Sequence, residues 1–258
     1  MSERDAKDIF AAAPLPVAPL DDAQRLACLR LIRSENVGPA TFRALINHYG
    51  GAGPALTALP EMARRSGRAR PIRICTKAEA EAELEAVARA GAQVLFTIEP
   101  GYPAPLAFVD GAPPMLYAKG RTGLLNRSAV AVVGSRSASA AGQQLARTIA
   151  GEIGTAGHAV VSGLARGIDT AAHKGALSTG TIAVLAGGAD VVYPRENQAL
   201  YDAIVAEGCV IAEQPIGFQA RAQDFPRRNR VISGVSRAIV VVEAARRSGS
   251  LITARLAG

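Results

Sequence analysis

The 258-residue chain has almost no lysine: Lys7, Lys77, Lys119 and Lys174 are the only four among 29 basic residues, so arginine carries nearly all of the positive charge. Cysteine is as scarce. Cys28, Cys75 and Cys209 are odd in number, far apart and in no metal-ligand spacing, which argues against a disulfide framework or a zinc site and leaves them as small apolar residues for a core. No apolar run reaches the length of a membrane span, and the opening residues 1–8 mix charges with no apolar stretch behind them, so the chain reads as cytoplasmic and without membrane contact. Neither a Walker A sequence nor the fingerprint G-x-G-x-x-G occurs, which disfavours a P-loop NTPase and an NAD(P) or FAD site.

What is present is a globular composition, 49% hydrophobic, with a net charge of +7. The length allows one sizeable domain and a small one. The sign of the charge points to an anionic partner such as nucleic acid, but the bias towards arginine discounts the total. Position must decide.

Residues 1–21 are Ala- and Pro-rich without periodicity and read as a disordered tail. Residues 22–74 form a small helical domain. Asp21 is a candidate cap, Leu26, Leu29 and Ile32 recur at helical spacing, and Phe42, Leu45, Ile46 and Tyr49 repeat the pattern after Asn36-Val-Gly-Pro39. Two helices joined by Val-Gly-Pro are those of a helix-hairpin-helix, which offers backbone N–H groups to a phosphate. The plainer reading is a packing domain without ligand, because Gly-Pro is also an ordinary interhelix turn. After a linker at Ser66-Gly67-Arg68, residues 75–258 form the larger domain, opening with a helix over 77–90 and strands at 93–98 and 114–118 that extend the same sheet.

The larger domain is organised around Ala129 to Ser139, where a Val-rich run ends on Gly134 and leads into a helix. Such a run is a strand buried on both faces. The pattern recurs at His158–Gly163, at Thr181–Ala186 before Gly187-Gly188, and at Ala238–Glu243 before Ser248-Gly249-Ser250. The expected fold is therefore α/β, an extended Rossmann-like, doubly wound and mostly parallel sheet preceded by the small all-α domain, with ligands outside the carboxyl ends of the strands.

Gly134-Ser135-Arg136-Ser137 combines helix-terminal amides, two hydroxyls and a guanidinium, a set suited to phosphate oxygens; alternatively Ser135 or Ser137 caps the helix and Arg136 is solvated. The other glycine turns would line up unpaired N–H groups along one rim, a row that suits a polymer better than a single nucleotide. Arginines cluster to match, from Arg221 through Arg227, Arg228, Arg230, Arg237, Arg246 and Arg247 to Arg255, although one of them is as readily a scaffold partner of Glu243. Asp169 and His173 stand four apart on one helix face. No nucleophile, second carboxylate or metal set accompanies them, so no catalytic residue and no metal site is assigned.

Val133-Gly-Ser-Arg136, Ser162-Gly-Leu-Ala-Arg-Gly-Ile-Asp-Thr-Ala-Ala-His173, Gly187-Gly-Ala-Asp-Val-Val-Tyr-Pro194, Phe225-Pro-Arg-Arg-Asn-Arg230 and Val242-Glu-Ala-x-x-x-Ser-Gly-Ser-Leu-Ile-Thr253 together resemble the DprA (DNA-processing protein A, or Smf) family. The resemblance implies a homodimeric protein, with neither cofactor nor catalysis, that binds single-stranded DNA, protects incoming DNA in natural transformation and loads RecA recombinase in DNA recombination. By motif it places the phosphate pocket at Gly134, Ser135, Arg136, Ser162, Gly163 and Gly167 and at Arg228, Asn229 and Arg230, with Arg195 as a further basic contact. Tyr193, Tyr201 and Phe225 are the candidates for stacking on a base. In the family the Ser-Gly-Ser-Leu-Ile-Thr segment runs through a helix to another strand, whereas this chain ends at Gly258 inside that helix, so by that resemblance the domain is truncated. The rival is a nucleotide-processing enzyme similar to the phosphoribohydrolases, which share the glycine turns but carry a catalytic Arg and Glu near a Pro-Gly-Gly-x-Gly-Thr turn.

Overall fold

The structure, a computed structural model, describes residues 19–65 and 70–244. The expected tail up to residue 18, the linker at 66–68, Arg246, Arg247, Arg255 and the Ser248-Gly249-Ser250 turn lie outside the described residues.

Four helices come first. In α1 (Asp22–Arg33) the side chain of Asp21 accepts from the Gln24 amide while Gln24 returns a bond to the Asp21 N–H, a complete capping box. Helix α2 (Pro39–Tyr49) begins with Pro39, whose missing N–H costs nothing there, and ends at Gly50 with φ 72°. Helix α3 (Ala52–Arg65) follows, and α4 (Lys77–Arg89) opens with a second capping box between Thr76 and Glu79. Burial of Leu29, Leu31, Phe42, Leu45, Ala55 and Leu59 joins these helices to the same hydrophobic cluster as Val94, Phe96 and Tyr117 of the sheet. Helix α4 touches both α1 and the first strand, so it bridges the two expected domains across the boundary at 74 and 75. Arg33 fastens that junction with two bonds to Glu83 and one to the Tyr117 hydroxyl.

The sheet has seven strands: β1 (Gln93–Phe96), β2 (Met115–Gly120), β3 (Ala129–Gly134), β4 (Ala159–Ser162), β5 (Thr181–Gly188), β6 (Cys209–Gln214) and β7 (Ala238–Val242). Their order is β1-β2-β6-β5-β4-β3-β7. The five strands from β6 to β7 are parallel, and β2 runs antiparallel to both β1 and β6. The mostly parallel sheet with its early extension is thus as expected. Central β5 is buried along its whole length, which explains its unbroken apolar pattern.

Successive side chains point to opposite faces. Ala131, Val133, Val161 and Val184 pack with Leu106 of α5 (Ala104–Ala107) and with Val231 and Ile232 of α9 (Asp224–Val235). Val132 and Val160 face the other way, against α6 (Ala140–Thr155) and α7 (Ile168–Ala176), and further along that face α8 (Gln198–Glu207) covers β5 and β6. The chain steps outward from β3 through β4 and β5 to β6, then returns to the far side of β3 as β7. The switch point lies between β3 and β7, where Gly134 pairs with Val242.

Candidate nucleic-acid interface

The rim begins with the turn after β4. Ser162 is fully buried and its hydroxyl donates to the Val132 carbonyl over 2.7 Å, so this side chain is spent inside the sheet. Asp169, in the first turn of α7, folds back to accept from the Gly163 and Ala165 amides at 3.1 and 3.3 Å. Asn197 secures the same loop through the Leu164 carbonyl and the Thr170 hydroxyl. Gly167, at φ 74°, lies where a Cβ would overlap the Ser135 carbonyl, which itself accepts from the Ile168 amide at 3.2 Å. The β3 and β4 turns are therefore one rigid unit.

Helix α9 crosses above this unit and lowers Arg228 into it. Its guanidinium donates to the Gly163 carbonyl at 2.6 Å and the Val184 carbonyl at 2.5 Å, and only 7% of the residue is exposed. A Cβ at 163 would overlap that guanidinium and push it from its seat, so glycine leaves the room it occupies. Burial lowers the Arg228 pKa, with Asp169 opposing and nearby Arg136 adding to the fall; an arginine starts so high that it stays charged. Among the described residues no ion pair includes Arg228. Its guanidinium is bonded to carbonyls, with Asp169 as a counter-charge at longer range.

Burial raises the Asp169 pKa, against the pull of Arg228 and of the amides that it accepts. His173, fully buried, has Nδ1 2.7 Å from the Thr181 hydroxyl, whose own proton goes to the Val160 carbonyl; Nδ1 is thus the donor of a neutral ring. Burial, assisted by Arg228, pulls the His173 pKa down to about 3. Each of these two side chains is engaged by the scaffold and neither bonds to the other.

Around the Arg228 floor stand aromatic walls. Tyr193, joined to Pro194 by a cis peptide bond, is 56% exposed and meets Phe225 edge to face with 5.4 Å between centroids. The Arg136 guanidinium lies over the Phe225 ring at 5.6 Å. Two adjoining clefts share Gly163, Tyr193, Phe225 and Arg228; the outer one is completed by Arg136, Ala165, Arg166 and Pro194, the inner one by apolar Leu185, Ala186 and Val191. Arg195 is exposed in the 3-10 turn just beyond Pro194.

Other sequence candidates sit elsewhere. Tyr201 is 5% exposed and donates to the Ala189 carbonyl, so its ring is core and the stacking candidates reduce to Tyr193 and Phe225. Arg230 pairs with Glu213 at 2.5 Å and donates to the Gly111 carbonyl, which makes it the scaffold arginine of the cluster. Asn229 accepts from Nε of Arg228 at 3.3 Å and helps orient it. Gly134 serves close approach: a Cβ would overlap the Val242 carbonyl. Arg166 lines the outer cleft without belonging to the phosphate pocket that the motifs imply; its place next to the turn glycine Gly167 is the signal that marks it.

The expected row of unpaired turn amides is revised. Helix α6 starts at Ala140, not directly after Gly134, and its cap is Ser139 rather than Ser135 or Ser137; the Ser135 hydroxyl accepts from the Ser137 amide instead. Glu243 accepts from the Ser139 amide and hydroxyl, Asp169 takes those of the β4 turn, and Asp190 accepts from Gly217 while Gly188 donates to the Phe218 carbonyl. Glu243 therefore faces α6 and pairs with no arginine among the described residues. What the rim offers is guanidinium groups for an anion and aromatic surface for stacking.

Fold and rim together define the class: a Rossmann-like α/β protein whose sheet edge carries arginines without ion pairs among the described residues, beside exposed Tyr193 and half-buried Phe225. The family model for DNA recombination-mediator protein A matches residues 93–258, and that for the DprA-like N-terminal HHH domain matches residues 22–86. The chain belongs to the DNA recombination-mediator protein A family. It is 45% identical over 158 residues to the DNA processing protein DprA of Streptococcus pneumoniae, covering 59% of this chain and 54% of that one, and 41% identical over 173 residues to the protein Smf of Synechocystis, covering 64% and 43%. The chain spans about half the length of these curated relatives. The crystal structure of the S. pneumoniae protein superposes with a TM-score of 0.65 at 31% identity, covering all of this chain and 83% of the other. DNA processing protein A of Helicobacter pylori, whose structure was described for its single-stranded DNA binding mode, superposes with a TM-score of 0.60 at 30% identity over 64% of this chain and 75% of that one. No helix among the described residues is long and apolar enough to cross a membrane.

Proposed function

We propose that this chain binds single-stranded DNA along the carboxyl rim of its sheet. The observation that carries the reading is Arg228: a buried guanidinium that makes no ion pair among the described residues, bonded to two carbonyls and offset only at longer range by Asp169, at the floor of a cleft walled by Tyr193 and Phe225. Phosphates sit against Arg228, Arg136, Arg166 and Arg195, and a base stacks on Tyr193 or Phe225. Backbone contacts carry no sequence information, so binding is sequence-tolerant and weakens linearly in log salt, by about 0.7 per phosphate neutralised.

Family membership supports the wider reading: a cytoplasmic, homodimeric protein without catalysis that protects incoming DNA in transformation and hands it to RecA. The scaffold roles of Asp169 and His173 agree with binding rather than catalysis, and the engagement of Glu243 by Ser139 disfavours the phosphoribohydrolase reading. Anisotropy of labelled oligo(dT) across a salt series, with AMP and an equal-length duplex as competitors, tests the proposal. Tight binding that neither competitor displaces is the expected result. Failure to bind the strand, or base release from AMP that is lost in Glu243→Gln, overturns it.

A further inference from the structure

The topology designates a ligand seat other than the aromatic cleft. In open α/β sheets the crevice outside the strand ends at the switch point is the common binding place, and here it lies between β3 and β7, at the N-terminus of α6. That helix is sixteen residues long and has no acid in its first turn. Its positive end nevertheless faces a carboxylate, contributed by Glu243 from the end of β7, 104 residues away in sequence. The carboxylate accepts from the Ser139 amide at 2.8 Å and from the Ser139 hydroxyl, and the hydroxyl in turn accepts from the Gly142 amide at 3.0 Å. Residue 142 is glycine where a Cβ would overlap the same carboxylate. Glu243 is exposed, so solvent reaches the seat.

We propose that Glu243 is a built-in anion filling the phosphate seat at the N-terminus of α6, and that it makes the rim accept a phosphodiester strand, held by guanidinium groups, in preference to free phosphate or a nucleoside monophosphate. A compact dianion needs converging amides and a helix end to be held alone. Here Glu243 already takes the Ser139 amide and hydroxyl, that hydroxyl takes the Gly142 amide, and the carboxylate sets a like charge at the helix end. A polymer draws instead on several arginines at once, and Arg136, three residues before Ser139, is left free of the carboxylate. The Ser139 bonds lower the pKa of Glu243, which keeps the resident charge in place at neutral pH. The biological meaning rests on the DNA-binding reading; the occupancy of the seat does not.

The test uses inorganic phosphate and AMP as probes, with the amide resonances of Ser139 and Gly142 as the readout and no DNA present. The native chain shows no saturable shift, whereas Glu243→Ala binds phosphate at these amides about twofold to fivefold more tightly, the scale of an exposed helix-end anion interaction. Melting curves verify the fold of the variant. Glu243→Gln, which keeps length and an accepting oxygen but no charge, is the second variant and admits phosphate more weakly than the alanine. Native protein that already binds phosphate at these amides, or folded variants that bind it no better than the native chain, overturns the proposal. Oligo(dT) binding measured in parallel separates the two readings, since its failure alongside phosphate binding by Glu243→Ala removes the DNA interface and leaves the seat standing.

Discussion

The helical end of the molecule and the rim of its sheet treat arginine in opposite ways. Between residues 25 and 99, Arg25, Arg33, Arg64, Arg65, Arg73 and Arg89 each meet a glutamate, and Lys77 meets Glu81. Among the described residues, every ion pair but Arg230 with Glu213 lies in that region. At the rim, Arg136, Arg166, Arg195 and Arg228 have no ion-pair partner among the described residues. Surface pairs in the helical region contribute little energy individually, but they cancel local field. The rim thus sets these four arginines beside Tyr193 and Phe225, a placement that a net charge of +7 does not reveal.

Breaking the buried end of this contrast has the largest effect. Arg228→Met leaves the Gly163 and Val184 carbonyls unpaired and removes a charged donor, so single-strand affinity falls about tenfold to a hundredfold in anisotropy titrations. Phe225→Ala removes both a stacking face and the platform of Arg136, and costs about 1–3 kcal/mol of binding, whereas Tyr201→Phe leaves DNA affinity unaltered and lowers only the melting temperature. Arg136→Ala weakens binding several-fold and flattens the salt slope by about 0.7; an unchanged slope removes it from the interface. Arg33→Met sharpens the comparison from the other side: it takes the cation away from Glu83, which keeps only the bond donated by the Tyr117 hydroxyl, lowers stability by about 1–3 kcal/mol in urea unfolding, and leaves the salt slope alone.

The smallest effect is a pH dependence. The folded His173 pKa, about 3, lies below its ordinary 6.5, so the unfolded chain takes up the proton first as pH drops. Its stabilisation is full above about pH 6.5 and is lost as pH falls towards 3. Asp169, raised by burial, contributes in the opposite direction. The difference between native and His173→Gln melting curves isolates the histidine, and should narrow across this window; parallel curves would contradict a neutral buried ring.

Much of the fold was legible in local chemistry. The capping boxes, Pro39 and Gly50 mark helix ends because they settle orphaned amides within four residues, and the Val-rich runs mark strands buried on two faces. Strand β6 and helix α8 were not among the expectations. Cys209–Gln214 has only four apolar residues before Glu213, and its strand character comes from pairing with β5 and β2 on either side.

The α/β class, the basic bias and the motifs that carry the family follow from residue type and short spacing alone. What each motif residue does is set by how the strands and helices pack. Arg228 and Arg230 are two positions apart, yet the rotation of α9 sends one to carbonyls under an open cleft and the other to Glu213. Ser162, Tyr201 and the turn amides carry binding chemistry in the sequence but are consumed by partners 4 to 104 residues away. A hydrogen-bonding group serves a ligand only when the fold has not already satisfied it, and that depends on packing between strands and helices that no local pattern records.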